Sequence, residues 1–290
     1  MAAARSTVVR ISPATSSTTE SNIAGRIDLM STSPLFTGLS QEAYEAFAMC
    51  ARPRSFARDE AVFMQGEPVN KLALIRSGCM KITQLAPNGN EVILWMYGAG
   101  YAVGAFSEHN SLHSCSVRAM EPCTALVWER KVFDGLAMRY PQIKANANQI
   151  LASRLNELEE RFREVATEKV AKRIAFALLR LIKHSGKKVN GGVEVSLSRE
   201  ELAQMTGTTL FTVSRVLSRW GKMGFVSPGR ATVVVRDAHR LEMAGEEDFG
   251  SETFVVKNVR EADFLQKSPL GVFALAMVQT DSRLASGAPC

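Results

Sequence analysis

The stretch SLSREELAQMTGTTLFTVSRVLSRWGKMG, residues 196–224, decides the fold. It reads as two helices joined by a tight turn. Ser198 is placed to cap the first helix, and Glu201, three residues on, completes a capping box. Gly207 falls where the chain must reverse sharply, which glycine does without steric cost. Thr209 is placed to cap the second helix. Within that helix Val213, Val216, Leu217 and Trp220 recur at helical spacing and form an inward stripe. Phe211, Ser214, Arg215 and Ser218 share the opposite face, which is short, polar and positive, with one aromatic near its start. A helix-turn-helix presents the first turns of its second helix to base edges in the major groove. The arginine fork matches the two acceptors of guanine there. A plain helical hairpin with a solvated face leaves the agreement of cap, turn, stripe and charge unexplained.

Charge points the same way. The chain of 290 residues has a net charge of +6, unevenly spread. Residues 167–240 carry 14 Lys+Arg against 5 Asp+Glu, whereas residues 1–166 carry 17 against 16 and residues 241–290 carry 4 against 8. The positive charge therefore coincides with the helix-turn-helix, as expected of a phosphate-binding surface. Apolar runs such as Gly271 to Val278 are far shorter than the ~20 residues that span a bilayer. The N-terminus lacks a signal-peptide core, so a cytoplasmic chain is expected. Five scattered cysteines (Cys50, Cys79, Cys115, Cys123, Cys290) fit reduced thiols better than a disulfide framework.

Working outward, residues 225–235 (FVSPGRATVVV) and 187–197 (KKVNGGVEVSL) read as two hairpins, a small β-wing beside the helices. Residues 168–184 read as a further helix. Residues 141–166 begin at Pro141, well placed for a helix start. There Ala147, Leu151, Leu155, Leu158, Phe162 and Val165 follow a spacing close to an a/d seam. Such a seam packs on its own domain or on a copy of itself. A two-fold partner is favoured, because this kind of reader uses two half-sites. Upstream, AVFMQ (61–65), KLALI (71–75), MKITQL (80–85), EVILWMY (91–97) and segments near Cys115–Ala119 and Thr124–Trp128 read as short strands between Gly and Pro turns, an antiparallel roll or barrel. Residues 34–52 read as a short helix entered through Ser40. Residues 1–30 read as a mobile, disordered arm and residues 241–290 as a poorly ordered tail.

This arrangement resembles the Crp/Fnr family of bacterial transcription regulators over about residues 30–240, through the segment GEPVNKLALIRSGCMKI, the long helix and the motif SREELAQMTGTTLFTVSRVLSRWGKMGFV. The resemblance implies an α+β fold: an N-terminal antiparallel, jelly-roll-like β-roll related to cyclic-nucleotide-binding domains (31–140), a long dimerisation helix (141–166) and a winged helix-turn-helix (167–240). It further implies a homodimer joined through Leu151, Leu155, Leu158, Phe162 and Val165, binding double-stranded DNA at a near-palindromic operator, with RNA polymerase as a further partner. The expected DNA contacts are Arg199, Thr208, Thr209, Leu210, Phe211, Thr212, Ser214, Arg215, Ser218 and Arg219.

Two departures from the family pattern stand out. Readers of the family commonly place Glu where Phe211 stands. Glutamate accepts from cytosine, whereas phenylalanine can contact a thymine methyl. In the sensor, cyclic-nucleotide binders carry Gly-Glu-Leu followed by Arg-Ser. The matching stretch, VGAFSEHNSLHSCSVRA, keeps Gly104 and Ser114 but has Ala105 and His113 at the glutamate and arginine positions. A cyclic phosphate would lose its bidentate guanidinium partner, so cyclic AMP is not the expected effector. No cysteine precedes Cys50, which argues against an iron–sulfur cluster. His109, His113, Cys115 and Cys123 do not match a tight zinc spacing. Loop residues and small buried thiols are the expected reading of these four, with haem or redox sensing as the lesser alternative, and no metal site is expected. Lys81, Arg118 and Arg76 near the roll read as a solvated face, with the binding of another anionic ligand as the lesser alternative. No nucleophile–base pair or phosphate loop supports an enzyme. The competing reading is a ligand-sensing or scaffold protein whose helix-turn-helix makes protein contacts.

Overall fold

The computed structural model describes residues 14–104 and 112–244. The chain opens with helix α1 (Ala14–Ser31), a 3-10 turn (Pro34–Phe36) and helix α2 (Gln41–Cys50). Eight strands follow: β1 (Arg52–Phe56), β2 (Ala61–Phe63), β3 (Lys71–Ser77), β4 (Met80–Leu85), β5 (Glu91–Tyr97), β6 (Ala102–Val103), β7 (Ser116–Ala119) and β8 (Cys123–Glu129). They form two four-stranded antiparallel sheets, ordered β1-β8-β3-β6 and β2-β7-β4-β5. The expected roll is present. Phe56, Val62, Phe63, Ile75, Met80, Ile82 and Val117 fill the space between the sheets.

The first sheet is covered on both faces, and strand β3 records this in its residues. Ala73 and Ile75 point between the sheets, while Leu72 and Leu74 point outward into a second core with Met30, Phe36, Phe47, Leu126, Trp128 and Phe133. A strand buried on both faces must be apolar at successive positions, which explains the unbroken LALI run. Trp128 donates its indole N–H to the Phe47 carbonyl at 2.8 Å, so the largest side chain of that core leaves no polar atom unpaired.

This second core overturns the expectation of a mobile arm for the described part of residues 1–30. Ile23, Ile27 and Met30 lie at helical spacing on α1 and pack into it, and Met30 is fully buried. Arg26 ties the helix down by donating to the Ala48 and Ala51 carbonyls at 2.8 and 2.9 Å. The Ser/Thr-rich composition of the segment masks this narrow stripe. Residues 1–13 lie outside the described residues.

Helix α3 (Arg130–Arg139) leads to the long helix α4 (Gln142–Thr167), which starts just after Pro141. Ile143, Asn146 and Ala147 of its first turns pack into the second core. Asn146 donates to the Leu35 and Thr37 carbonyls. Ala147 therefore faces its own domain and is not part of an external seam. Helix α5 (Val170–Ser185), β9 (Lys187–Val189), β10 (Gly192–Ser196), α6 (Arg199–Thr206), α7 (Leu210–Lys222), β11 (Val226–Pro228), β12 (Thr232–Val235) and α8 (Ala238–Ala244) complete the described chain. Strands β11-β12-β10-β9 make the wing sheet. Residues 241–244, the start of the expected tail, belong to α8, with Leu241 fully buried. Residues 245–290 lie outside the described residues.

Candidate nucleic-acid interface

The turn that sets the two helices of residues 196–224 is built by local chemistry. Ser198 Oγ accepts from the Glu201 amide at 3.1 Å, and Glu201 Oε2 accepts from the Ser198 amide at 2.8 Å. Two otherwise unpaired donors at the start of α6 are thereby satisfied. Gly207 takes the left-handed conformation, φ 61° and ψ 44°, and its amide returns to the Ala203 carbonyl. Thr209 Oγ1 then accepts from the Thr212 amide at 3.2 Å and starts α7.

The two faces of α7 separate as its periodicity predicts. Val213, Val216, Leu217 and Trp220 are buried, and the indole ring packs against Phe225, with ring centres 5.8 Å apart. On the outer side Thr209, Leu210, Phe211, Arg215, Ser218 and Arg219 are exposed, and Thr208, Thr212 and Ser214 are half-buried. One helix and its preceding turn thus bring nine of the ten expected contacts into a single strip. Arg199 stands apart at the start of α6 and is half-buried, with Nε out of solvent and without a hydrogen-bond partner. Wing cations that the sequence reading did not single out belong to the same domain. Arg230 is exposed, and Arg236 donates from Nε to Ser227 Oγ at 2.7 Å. The basic charge count of residues 167–240 was the signal that could have found them.

The seam of α4 emerges only beyond its first turns. Leu151, Leu155, Leu158, Phe162 and Val165 are all solvent-exposed in the single chain, Phe162 at 78% and Leu155 at 56%. The flank of α4 beside the seam is fastened to the roll. Arg154 donates to the Ala102 carbonyl at 3.0 Å and lies over the Tyr97 ring, and Arg161 donates to the Leu94 carbonyl.

Residues from distant parts of the sequence join the roll to the winged domain. Gly98 donates its amide to the His184 carbonyl at 3.0 Å. His184 Nδ1 meets the Tyr101 hydroxyl at 3.0 Å, and Glu157 approaches Nε2 at 3.8 Å. Burial lowers the imidazole pKa of His184, against the opposing pull of Glu157. Lys187 pairs with Glu121 at 2.7 Å. Lys81, expected on a solvated face, is instead largely buried and pairs with Glu201 at 3.3 Å. None of these pairings is visible in sequence, because each depends on how the two domains dock.

In the roll, Gly104 sits at φ 133°, and a Cβ there would approach the Leu72 Cα to 3.2 Å, so glycine is favoured. His113 is buried, with its ring stacked 3.7 Å from that of Phe63, and burial holds its pKa below the ordinary value of 6.5. Its Nε2 is buried without a hydrogen-bond partner. Ser114 is exposed, and its carbonyl accepts from Gln84. Ala105 and His109 lie outside the described residues. Cys123 donates to the carbonyls of Cys79 and Glu121, and burial pushes the Cys79 thiol up to about 12. Among the described residues, no three His, Cys, Asp or Glu side chains converge to hold a metal ion, and no helix is long and apolar enough to cross a membrane.

Comparison with known proteins gives the same two domains. A cyclic nucleotide-binding domain matches residues 53–140 and a Crp-like helix-turn-helix domain matches residues 172–244. The chain is 31% identical over 214 residues to the cyclic AMP receptor protein of Thermus thermophilus, covering 73% of this chain and 97% of that one. It is 27% identical over 217 residues to a CRP-like cAMP-activated global transcriptional regulator of Mycobacterium tuberculosis, covering 74% and 97%. Among solved structures, FixK2 from Bradyrhizobium japonicum shares the fold with a TM-score of 0.60 at 23% identity, over 67% of this chain and 96% of that one. With its antiparallel roll, long helix and winged helix-turn-helix, this chain belongs to the Crp/Fnr family of transcription regulators, which act by binding DNA and not by catalysis.

Proposed function

We propose that the chain acts in the cytoplasm as a homodimer that reads a near-palindromic operator with two copies of α7. The observation that carries this reading is the continuous outer strip of α7, with Arg215 exposed on a domain whose charge is strongly positive. Phe211, Thr212, Ser214 and Arg215 face base edges. Thr208, Thr209, Leu210, Ser218, Arg219 and Arg199 lie at the groove walls and phosphates, with Arg230 and Arg236 of the wing. The exposed apolar residues of α4 form the seam with the second copy, which sets the two reading helices ~34 Å apart. The docked sensor biases that spacing by population shift. RNA polymerase is the further partner of the bound dimer.

Cyclic AMP is not the effector in this reading, although two relatives carry it in their names. His113 supports this view. It is stacked, buried and held neutral, so it offers no cation to a cyclic phosphate.

Fluorescence anisotropy on duplex DNA tests the reading. Arg215→Ala should weaken binding to the selected site by ~1–3 kcal/mol and leave random duplex nearly unaffected. Equal losses on both would make Arg215 a phosphate contact. An affinity for DNA that ignores salt would remove the DNA reader altogether.

A further inference from the structure

The first turn of α7 offers chemistry that polar base edges cannot use. Leu210 and Phe211 open the helix at 52% and 73% exposure. They are adjacent, the first two residues of the helix. The two hydroxyls of the same turn, Thr209 and Thr212, are 3.0 Å apart and bond to each other. The first polar groups aimed outward beyond them are Ser214 and Arg215, one turn further along. An aromatic ring laid on an amino group or a carbonyl would strip its water and return no hydrogen bond. In the major groove the one apolar group larger than a C–H on a base edge is the C5-methyl of a pyrimidine, carried by thymine and equally by 5-methylcytosine.

We propose that Phe211, flanked by Leu210, is a specificity-determining residue that reads a pyrimidine C5-methyl group in each half-site, next to the base read by Arg215. This rests on α7 being the DNA-reading helix. The strongly basic domain around the apolar pair favours a nucleic-acid occupant over a protein surface. Because Phe211 is on the outer strip, its replacement leaves the buried stripe of Val213, Val216, Leu217 and Trp220 untouched. The choice between methylated and unmethylated pyrimidine is then made by contact area alone.

The test uses the full chain and a binding site selected from a random duplex library. Each thymine of the selected duplex is replaced in turn by deoxyuridine, which removes only the methyl. One position per half-site should lose about three- to fivefold in affinity, the value of one buried methyl-sized group. Phe211→Ala should weaken the parent duplex by a similar factor and show no further loss with deoxyuridine at that position. At the same position, 5-methylcytosine should bind better than cytosine by a similar factor. Deoxyuridine without effect everywhere, an equal deoxyuridine loss in Phe211→Ala, or equal binding of cytosine and 5-methylcytosine would each overturn the assignment while the DNA reader stands. A library that yields no enriched sequence would overturn the DNA-reading function itself.

Discussion

Lys81 on β4 and Glu201 on α6 form an ion pair at 3.3 Å across 120 residues of sequence, with side chains only 15% and 20% exposed. The same carboxylate closes the capping box with Ser198. One residue therefore both starts the helix-turn-helix and fastens it to the β-roll. Removing Lys81 should loosen the docking and spare the cap, whereas removing Glu201 should do both. A double-mutant cycle of Lys81→Met and Glu201→Gln, followed by urea unfolding, should give a coupling of roughly 0.5–1.5 kcal/mol. Coupling near zero would mean that the pair is incidental to docking.

A second junction lies between α4 and α5. Arg180 meets Glu164 with two bonds, at 2.6 and 2.9 Å, and the carboxylate is 7% exposed. Arg180→Ala should destabilise the protein by about 3 kcal/mol, at the low end for a stranded buried charge because Arg161 also acts on Glu164. The double change Arg180→Met with Glu164→Leu should recover most of that loss. Urea midpoints for the two variants decide it, and equal losses in both would show that packing, not charge, dominates.

Acid should weaken the fold before its carboxylates titrate. Burial is the main cause that lowers the pKa of both His113 and His184 below the ordinary 6.5. Between the folded and unfolded values the unfolded chain binds more protons, so stability is full above about pH 6.5 and falls as pH drops through that window. The thermal midpoint should hold between pH 7 and 8 and decline below about 6.5. His113→Phe, which keeps the stack on Phe63 and removes the titration, should flatten part of that decline. An unchanged profile in the variant would assign the slope elsewhere.

The seam of α4 makes a separate forecast. Leu155 is 56% exposed in the single chain, so Leu155→Asp should not unfold the protomer. It should halve the mass seen by light scattering, because a charge would enter an apolar seam between two copies. It should also weaken operator binding far more than binding to a single half-site. A dimer that survives the change would place the interface away from Leu151, Leu155, Leu158, Phe162 and Val165.

The parts of the molecule most legible in sequence are those governed by local rules. Ser198, Glu201, Gly207 and Thr209 act within four residues of themselves, and the stripe of Val213, Val216, Leu217 and Trp220 follows from helical period alone. The apolar strands of the roll were equally visible. Strand β1 was missed because its sequence, RPRSF, is charged and contains Pro53, and it becomes a strand only by pairing along the edge with β8. Strand β6 was missed because two residues carry no period. Helix α1 hid its Ile23, Ile27 and Met30 stripe in a Ser/Thr-rich composition.

The sequence by itself determined the helix-turn-helix, its basic outer face and the antiparallel roll, since caps, turns and alternation are written in neighbouring residues. Tertiary structure alone decided that Ala147 turns inward while Leu151 to Val165 stay outside, that His113 is buried against Phe63, and that Lys81 is held by Glu201. Each of these depends on which surfaces meet. That meeting is set by the summed burial of two cores and the docking of two domains, which no window of neighbouring residues contains.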